Sequence, residues 1–243
     1  MTWIRDALVV GANRGLGLEL TRQLRGRGAR VFATARVPSE ANALAATGAE
    51  VVALDVEDEA SIARAVAGVR EATSTLDLVL HVAGLLHDGE LQPEKKLDDV
   101  APEHLARSFR VNATGPLLVA KHVHPLLRHE RKAVLATLSA RVGSIGDNRL
   151  GGWYGYRASK AAQNMVVRTV AVELARKAKN AIVMALHPGT VDTGLSAPFQ
   201  RNVPPGKLFE VERAARQLLA IVDRADASYH GTFRAWDDTE IPW

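Results

Sequence analysis

A phenol and an ammonium group stand four residues apart in Tyr156-Arg157-Ala158-Ser159-Lys160. At that spacing on a helix the two side chains share one face and reach one site. A neighbouring positive charge favours the phenolate, so Lys160 is expected to lower the tyrosine pKa from its free value of about 10 and let the hydroxyl trade a proton with a substrate oxygen. Such a pair alone is commonplace, but a second feature accompanies it. Gly11-Ala12-Asn13-Arg14-Gly15-Leu16-Gly17 follows the apolar run Ala7-Leu8-Val9-Val10 and opens an amphipathic stretch. Glycine there lets the backbone turn tightly and approach a pyrophosphate at the positive end of a helix. Strand, glycine loop and helix in that order predict a bound dinucleotide, which would carry hydride while Tyr156 handles the proton.

At the end of the second apolar run, where a carboxylate would meet a ribose 2′-hydroxyl, the chain has Thr34-Ala35-Arg36. Arg36 and Arg14 together can fork a 2′-phosphate, since guanidinium geometry suits phosphate oxygens. NADP(H) is therefore expected in preference to NAD(H), the alternative being two exposed arginines on a basic surface.

These groups need a scaffold, and the hydrophobic pattern supplies one. After Ala7 to Val10, β-branched runs recur at Arg30 to Ala35, Glu50 to Leu54, Leu76 to His81, Ala133 to Leu138, Ala181 to Leu186 and Thr232 to Trp236. Amphipathic stretches alternate with them: about Leu16 to Arg25, Glu40 to Ala46, Glu57 to Arg70, Pro102 to Leu127, Tyr156 to Lys177 and Val211 to Val222. The alternation predicts a single α/β domain over residues 1–243, a Rossmann fold with a doubly wound seven-stranded parallel sheet and helices on both faces. Two loops, Leu85 to Lys96 and Ser196 to Lys207, carry glycine or proline, and the second is the expected substrate lid.

Composition narrows the classes further. The chain has no cysteine, so disulfides, thiolate metal sites and cysteine nucleophiles are excluded. The formal charge of +4 is spread over short groups such as Arg128, Arg131 and Lys132, read as a solvated surface, and aromatics are scarce, so no nucleic-acid partner is expected. No apolar run reaches membrane-spanning length and no secretory signal opens the chain; a cytoplasmic protein without a membrane partner is expected. His122, His124 and His129 lack the partners and spacing of a metal site, and no metal is expected.

The Gly-x-x-x-Gly-x-Gly spacing with Tyr-x-x-x-Lys resembles the short-chain dehydrogenase/reductase family over essentially the whole chain. The resemblance implies that Tyr156 is the general acid/base and that Lys160 holds the nicotinamide ribose. Asn112, in Val111-Asn112-Ala113-Thr114-Gly115-Pro116, is implied to relay protons through water to the lysine; a side chain bonding its own helix is the alternative. Gly11, Asn13, Arg14, Gly15, Leu16, Gly17 and Arg36 are implied to bind cofactor. So are Asp55 with Val56, and Ala83 with Gly84, although Asp55 reads nearly as well as the N-cap of the helix starting near Glu57. Pro188, Gly189, Val191 and Thr193 are implied to hold the nicotinamide carboxamide.

Two segments depart from the family. Where its first asparagine of Asn-Asn-Ala-Gly ties neighbouring strands, this chain has His81, followed by Val82. Where its substrate-binding serine lies three residues before a glycine, this chain has Ala140, and Ser139 or Ser144 is expected to supply the donor. Glu94-Lys95-Lys96-Leu97, Gly115-Pro116-Leu117-Leu118, Arg141-Val142-Gly143-Ser144-Ile145, Gly151-Gly152-Trp153-Tyr154 and Ile241-Pro242-Trp243 resemble the carbonyl-reductase-like branch that includes the C-factor cell-signalling and sniffer proteins. The expected function is an NADP(H)-dependent oxidoreductase exchanging hydride with a carbonyl or alcohol; the alternative is an NADP(H)-binding signalling or regulatory protein with weak or no turnover. Leu85, Leu86, Trp153, Leu195 and Phe199 suggest a small hydrophobic or aromatic substrate. The family's habit implies a homodimer or homotetramer built on the two long helices.

Overall fold

The computed structural model describes residues 2–243. Seven parallel strands, β1 (Asp6–Val10), β2 (Arg30–Ala35), β3 (Glu50–Ala53), β4 (Leu78–His81), β5 (Ala133–Leu138), β6 (Ala181–His187) and β9 (Phe233–Ala235), lie in the order β3-β2-β1-β4-β5-β6-β9. Two short strands, β7 (Thr190–Val191) and β8 (Leu208–Phe209), pair separately. Helices α1 (Gly15–Gly26), α2 (Asn42–Ala45) and α7 (Val211–Arg224) cover one face, while α3 (Glu59–Ala72), α5 (Gly115–Val123) and α6 (Tyr154–Lys177) cover the other. Alternate residues of β5 serve the two faces: Val134, Ala136 and Leu138 pack toward α1 and α7, Ala133 and Leu135 toward α3, α5 and α6. Burial on both faces explains why the strands read as continuous apolar runs.

The helix expected over Pro102 to Leu127 is divided. Helix α4 (Pro102–Phe109) passes into a π-helical turn (Arg110–Thr114), then α5, then a 3₁₀ turn (His124–Leu127). Pro116 has no N–H for the Asn112 carbonyl, nor Pro125 for that of Lys121, so the regular ladder cannot run through. His124 Nδ1 donates to the orphaned Lys121 carbonyl oxygen at 2.9 Å.

Other boundaries shift for local reasons. Helix α3 starts at Glu59 because Asp58 is its N-cap, accepting from Ala60 N–H at 2.9 Å. Asp55 accepts from Glu57 N–H at 2.9 Å in the preceding turn, so it is not the helix cap that the sequence allowed. The stretch from Glu40 to Ala46 is helical in α2 only, after a 3₁₀ turn at Pro38–Glu40. The expected lid is a 3₁₀ segment (Ala197–Asn202) closed at its base by the β7–β8 pair. The basic group read as a solvated surface is partly engaged: Arg131 pairs with the buried Asp77 at 2.8 Å, and Lys132 Nζ donates to the Val222 and Asp223 carbonyl oxygens, each at 3.0 Å.

Candidate active site

The residues singled out for chemistry collect where the central strands end at their carboxyl edge, as open α/β sheets require of a ligand site. Gly11 N–H donates to Thr34 Oγ1 at 3.0 Å, and Ala12 N–H to the Thr34 carbonyl oxygen at 2.9 Å, tying the glycine loop to β2. A Cβ on Gly11 would stand 2.7 Å from Ala83 N, and one on Gly17 2.1 Å from the Gly11 carbonyl oxygen. Only glycine permits that approach of helix, loop and β4. Gly15 faces Thr193, so the loop also meets the segment after β7.

The first turn of α1 has neither a side-chain cap nor an acidic residue, which leaves its backbone amides for an anion. Asn13 is exposed on the loop, whereas the Leu16 side chain joins the core and has only backbone to offer. Arg14 and Arg36 are brought to a common side. The Asp88 carboxyl is held below its ordinary pKa first by the Arg107 hydrogen bond, and both Arg36 and Arg14 add to that pull. Val56 packs under Gly115 and beside Leu85, Leu91 and Val111.

Helix α6 buries Tyr156, Ser159, Lys160, Gln163 and Asn164 along one face. Asn112, on the π turn, donates to the Leu85 carbonyl oxygen at 2.8 Å and to Ser159 Oγ at 3.0 Å, and its Oδ1 accepts from Leu85 N–H at 2.8 Å. Its side chain therefore bridges a loop to α6 rather than bonding its own helix. Lys160 Nζ donates to the Leu138 carbonyl oxygen at 3.0 Å and to Gln163 Oε1 at 2.8 Å. A Cβ on Gly84 would lie 3.5 Å from both Asn112 Oδ1 and Lys160 Nζ, so both groups border the space over that glycine.

The electrostatics correct one expectation. Tyr156 is raised above its ordinary value by burial, not lowered, and burial brings Lys160 down to about 7. The ammonium is held by Leu138 and Gln163, 5.8 Å from the centre of the phenol ring, where its pull does not offset desolvation. A stability test follows. Lysine exposed in the unfolded chain titrates near 10.5. Between about 7 and that value the unfolded state binds the extra proton, so this group's contribution to folded stability rises with pH there. Denaturant titrations across pH 7–10 are expected to show an added upward slope, approaching ~1.4 kcal/mol per pH unit, in the wild type relative to Lys160→Met.

The serine expectation is also corrected. Ser139 lies beyond the end of β5 on the face toward α6, where its buried hydroxyl donates to Asn164 Oδ1 at 2.6 Å. Ser144 Oγ donates to the Pro242 carbonyl oxygen at 2.5 Å. A hydroxyl has one hydrogen to give, so neither serine is free to serve as a donor to substrate in this arrangement. His81 likewise provides no strand tie: it is 1% exposed and neither ring nitrogen has a partner.

Above Tyr156 stands a line of rings. Trp153 meets Tyr156 edge-on at 6.2 Å and Phe199 at 5.1 Å, and Phe199 meets His87 at 5.7 Å. His87 Nε2 lies 3.2 Å from both the Gly194 and Leu195 carbonyl oxygens, linking the first long loop to the residues that lead into the second. Trp153 holds a left-handed backbone (φ 53), a conformation costing roughly 1–3 kcal/mol outside glycine. Glu94 keeps it there: its carbonyl oxygen accepts from Trp153 N–H at 2.5 Å and its carboxylate from Gly155 N–H at 3.0 Å, at the start of α6. Glu94, Gln163 and the hydroxyl of Ser159 are parts of the site that sequence reasoning missed. Glu94 stood in a noted phrase without a role, and only its later meeting with α6 reveals one.

The sheet order and the glycine loop between β1 and α1 define a Rossmann-type α/β oxidoreductase. The family described as short chain dehydrogenase matches residues 5–204, and the chain belongs to it. It is 35% identical to the 1-hydroxy-2-glutathionyl-2-methyl-3-butene dehydrogenase of Rhodococcus sp. (strain AD45) over 242 residues, 97% of this chain and 98% of that one. It is 35% identical over 147 residues to the C-signal protein of Myxococcus xanthus, covering 60% of this chain and 83% of that one. Among solved structures, the NADPH-bound carbonyl reductase from chicken fatty liver superposes with a TM-score of 0.87 at 28% identity, covering 99% of each chain.

Proposed function

We propose that this enzyme is an NADP(H)-dependent reductase of carbonyl compounds, with Asn112 and Lys160 both bordering Gly84, beside the glycine loop, as the observation that carries the reading. NADP(H), when bound, supplies or accepts the hydride. The uncapped amides of α1 with Gly11, Asn13, Gly15, Leu16 and Gly17 take the pyrophosphate, and Arg14 and Arg36 the 2′-phosphate. Asp55 and Val56 border the adenine, Ala83 and Gly84 the floor of the site, and Pro188, Gly189, Val191 and Thr193 the carboxamide. Tyr156 Oη passes its proton to the substrate oxygen, Lys160 holds the ribose, and Asn112 belongs to the route by which the proton is restored. Purified protein is expected to consume NADPH in a panel of aldehydes, ketones and quinones; tight NADPH binding without turnover on any of them would overturn the reading.

The ring line of Trp153, Phe199 and His87 supports a small hydrophobic or aromatic substrate. Arg36→Asp is expected to raise the KM for NADPH roughly 10- to 100-fold while lowering that for NADH, because a charge-assisted contact to the 2′-phosphate becomes repulsion. Steady-state kinetics with both cofactors checks this. A homodimer or homotetramer is supported by apolar side chains left on the two long helical segments, notably Met165, 67% exposed, and Val172, 54% exposed, with Leu117 on α5. A second reading, an NADP(H)-binding regulator with weak turnover, is favoured by Ala140 and by the two committed serines.

A further inference from the structure

Glu94 is a buried acid that the proposed chemistry does not use. It is 6% exposed, and among the described residues no lysine, arginine or histidine pairs with its carboxylate. A buried carboxylate without a cation is costly unless other groups meet its charge. Here backbone does so. Its Oε2 accepts from the N–H of Gly155, the second residue of α6, at 3.0 Å, and the positive end of that 24-residue helix favours an anion. The helix has no cap of its own: Trp153 at the N-cap makes no side-chain hydrogen bond, and the first turn holds no acidic residue. Glu94 is therefore a cap delivered across the fold, from 61 residues away in sequence.

The fit is close. A Cβ on Gly155 would stand 2.8 Å from Glu94 Oε1 and 3.1 Å from Leu105 Cδ2, so glycine is what lets the carboxylate reach the helix. Behind Glu94, Asp99 Oδ2 accepts from Lys95 N–H at 3.0 Å and from Lys96 N–H at 3.2 Å, which fixes the loop that presents it. In front, Gly151, Gly152 and Trp153 take left-handed φ values of 65, 64 and 53° in succession. Glycine adopts that conformation freely; tryptophan does so only when its surroundings hold it. The Glu94 carbonyl oxygen accepts from Trp153 N–H at 2.5 Å, so one residue grips both Trp153 and Gly155. The indole so held is the ring that meets Tyr156 at 6.2 Å and Phe199 at 5.1 Å.

We propose that Glu94 is a positioning residue that sets substrate selectivity: by gripping Trp153 and Gly155 it fixes the indole as the wall against which a substrate ring lies while Tyr156 protonates the substrate oxygen. This rests on the reading of Tyr156 as the acid and of the ring line as the substrate pocket. Without the carboxylate, the first turn of α6 loses its cap and the left-handed tryptophan loses one of its two restraints, so the backbone relaxes and the wall moves. A substrate with a ring feels that loss. A short aliphatic ketone, which does not reach the wall, feels it less.

The test compares Glu94→Ala and Glu94→Gln with the wild type, using NADPH with an aromatic and a short aliphatic ketone. Glu94→Ala is expected to lower kcat/KM on the aromatic ketone roughly 10- to 100-fold, as a displacement on the order of an ångström can. The aromatic-to-aliphatic ratio of kcat/KM is expected to fall roughly 2- to 10-fold, the worth of one ring contact, while the KM for NADPH stays at its wild-type value. Glu94→Gln, whose amide oxygen still accepts from Gly155, is expected to restore most of both losses. In protein labelled with fluorotryptophan, the ¹⁹F resonance of Trp153, identified by its loss in Trp153→Phe, is expected to shift in Glu94→Ala and return in Glu94→Gln. Should Glu94→Ala not fold, Glu94→Asp, a carboxylate one methylene too short to reach Gly155, takes its place. A loss shared equally by both ketones, or matched by a rise in the KM for NADPH, would reduce Glu94 to a brace for α6 and overturn the proposal. So would a Glu94→Gln as impaired as Glu94→Ala, or a Trp153 resonance indifferent to both. Absence of turnover in the wild type would instead count against the reductase reading, and the ¹⁹F comparison would still decide this one.

Discussion

Tyr156→Phe is expected to lower kcat for ketone reduction about 100- to 10,000-fold, the range that a positioned general acid contributes, while NADPH binding stays close to wild type. The phenol ring is buried and packs edge-on against Trp153, contacts that phenylalanine keeps, so the change removes a hydroxyl and little else. That hydroxyl makes no hydrogen bond to another described residue, so no buried partner is orphaned and stability is expected to hold within about 1 kcal/mol. Burial raises the phenol's pKa, which keeps it protonated at neutral pH and suits it to donating in the direction of reduction. Stopped-flow or steady-state NADPH oxidation, with fluorescence titration of NADPH as the control, reads both quantities. An unchanged kcat would remove Tyr156 as the acid.

Ala140→Ser is expected to raise kcat, by roughly 10- to 100-fold, making it a rare gain of function at a single position. A preorganised donor at a developing oxyanion is worth about 2.7–4 kcal/mol, and part of that should be recovered by supplying one. The surrounding structure favours the substitution. Ala140 has an extended backbone that serine adopts freely, and it enters the turn Arg141–Gly143. A Cβ on Gly143 would stand 2.7 Å from Lys160 Cβ, so that turn is pressed onto the part of α6 that carries the lysine. Ser139 and Ser144 keep their present partners and need not move. Measured beside the wild type on the same substrate, a gain would identify the missing donor as the limit on turnover. No gain would favour the regulatory reading, in which fast reduction is not what the site was shaped to do.

Much of this molecule was legible in order along the chain. All seven strands of the main sheet fall within or beside the apolar runs, because burial on both faces demands continuous Val, Leu, Ile and Ala. The glycine loop was legible because close packing against Ala83 and Gly11 excludes side chains, a constraint that shows as residue type. Family membership was legible for the same reason: spacing at Gly11, Gly15, Gly17, Tyr156 and Lys160 records local geometry. Helix limits were less so. The break at the π turn was written in Pro116, yet its consequence depends on which carbonyl loses its partner.

What the tertiary structure alone decided concerns partners distant in sequence. That Ser139 is spent on Asn164, that Glu94 holds the entrance to α6, and that Asn112 bridges Leu85 to Ser159 are facts about side chains meeting across the fold. So is the state of the acid–base pair. Spacing put Tyr156 and Lys160 on one face of a helix, but the sign of each pKa shift depends on how much water the packed site excludes. The chain sequence determined which groups would share the site; three-dimensional packing determined which were free to act, because hydrogen-bond capacity is finite and desolvation grows with burial.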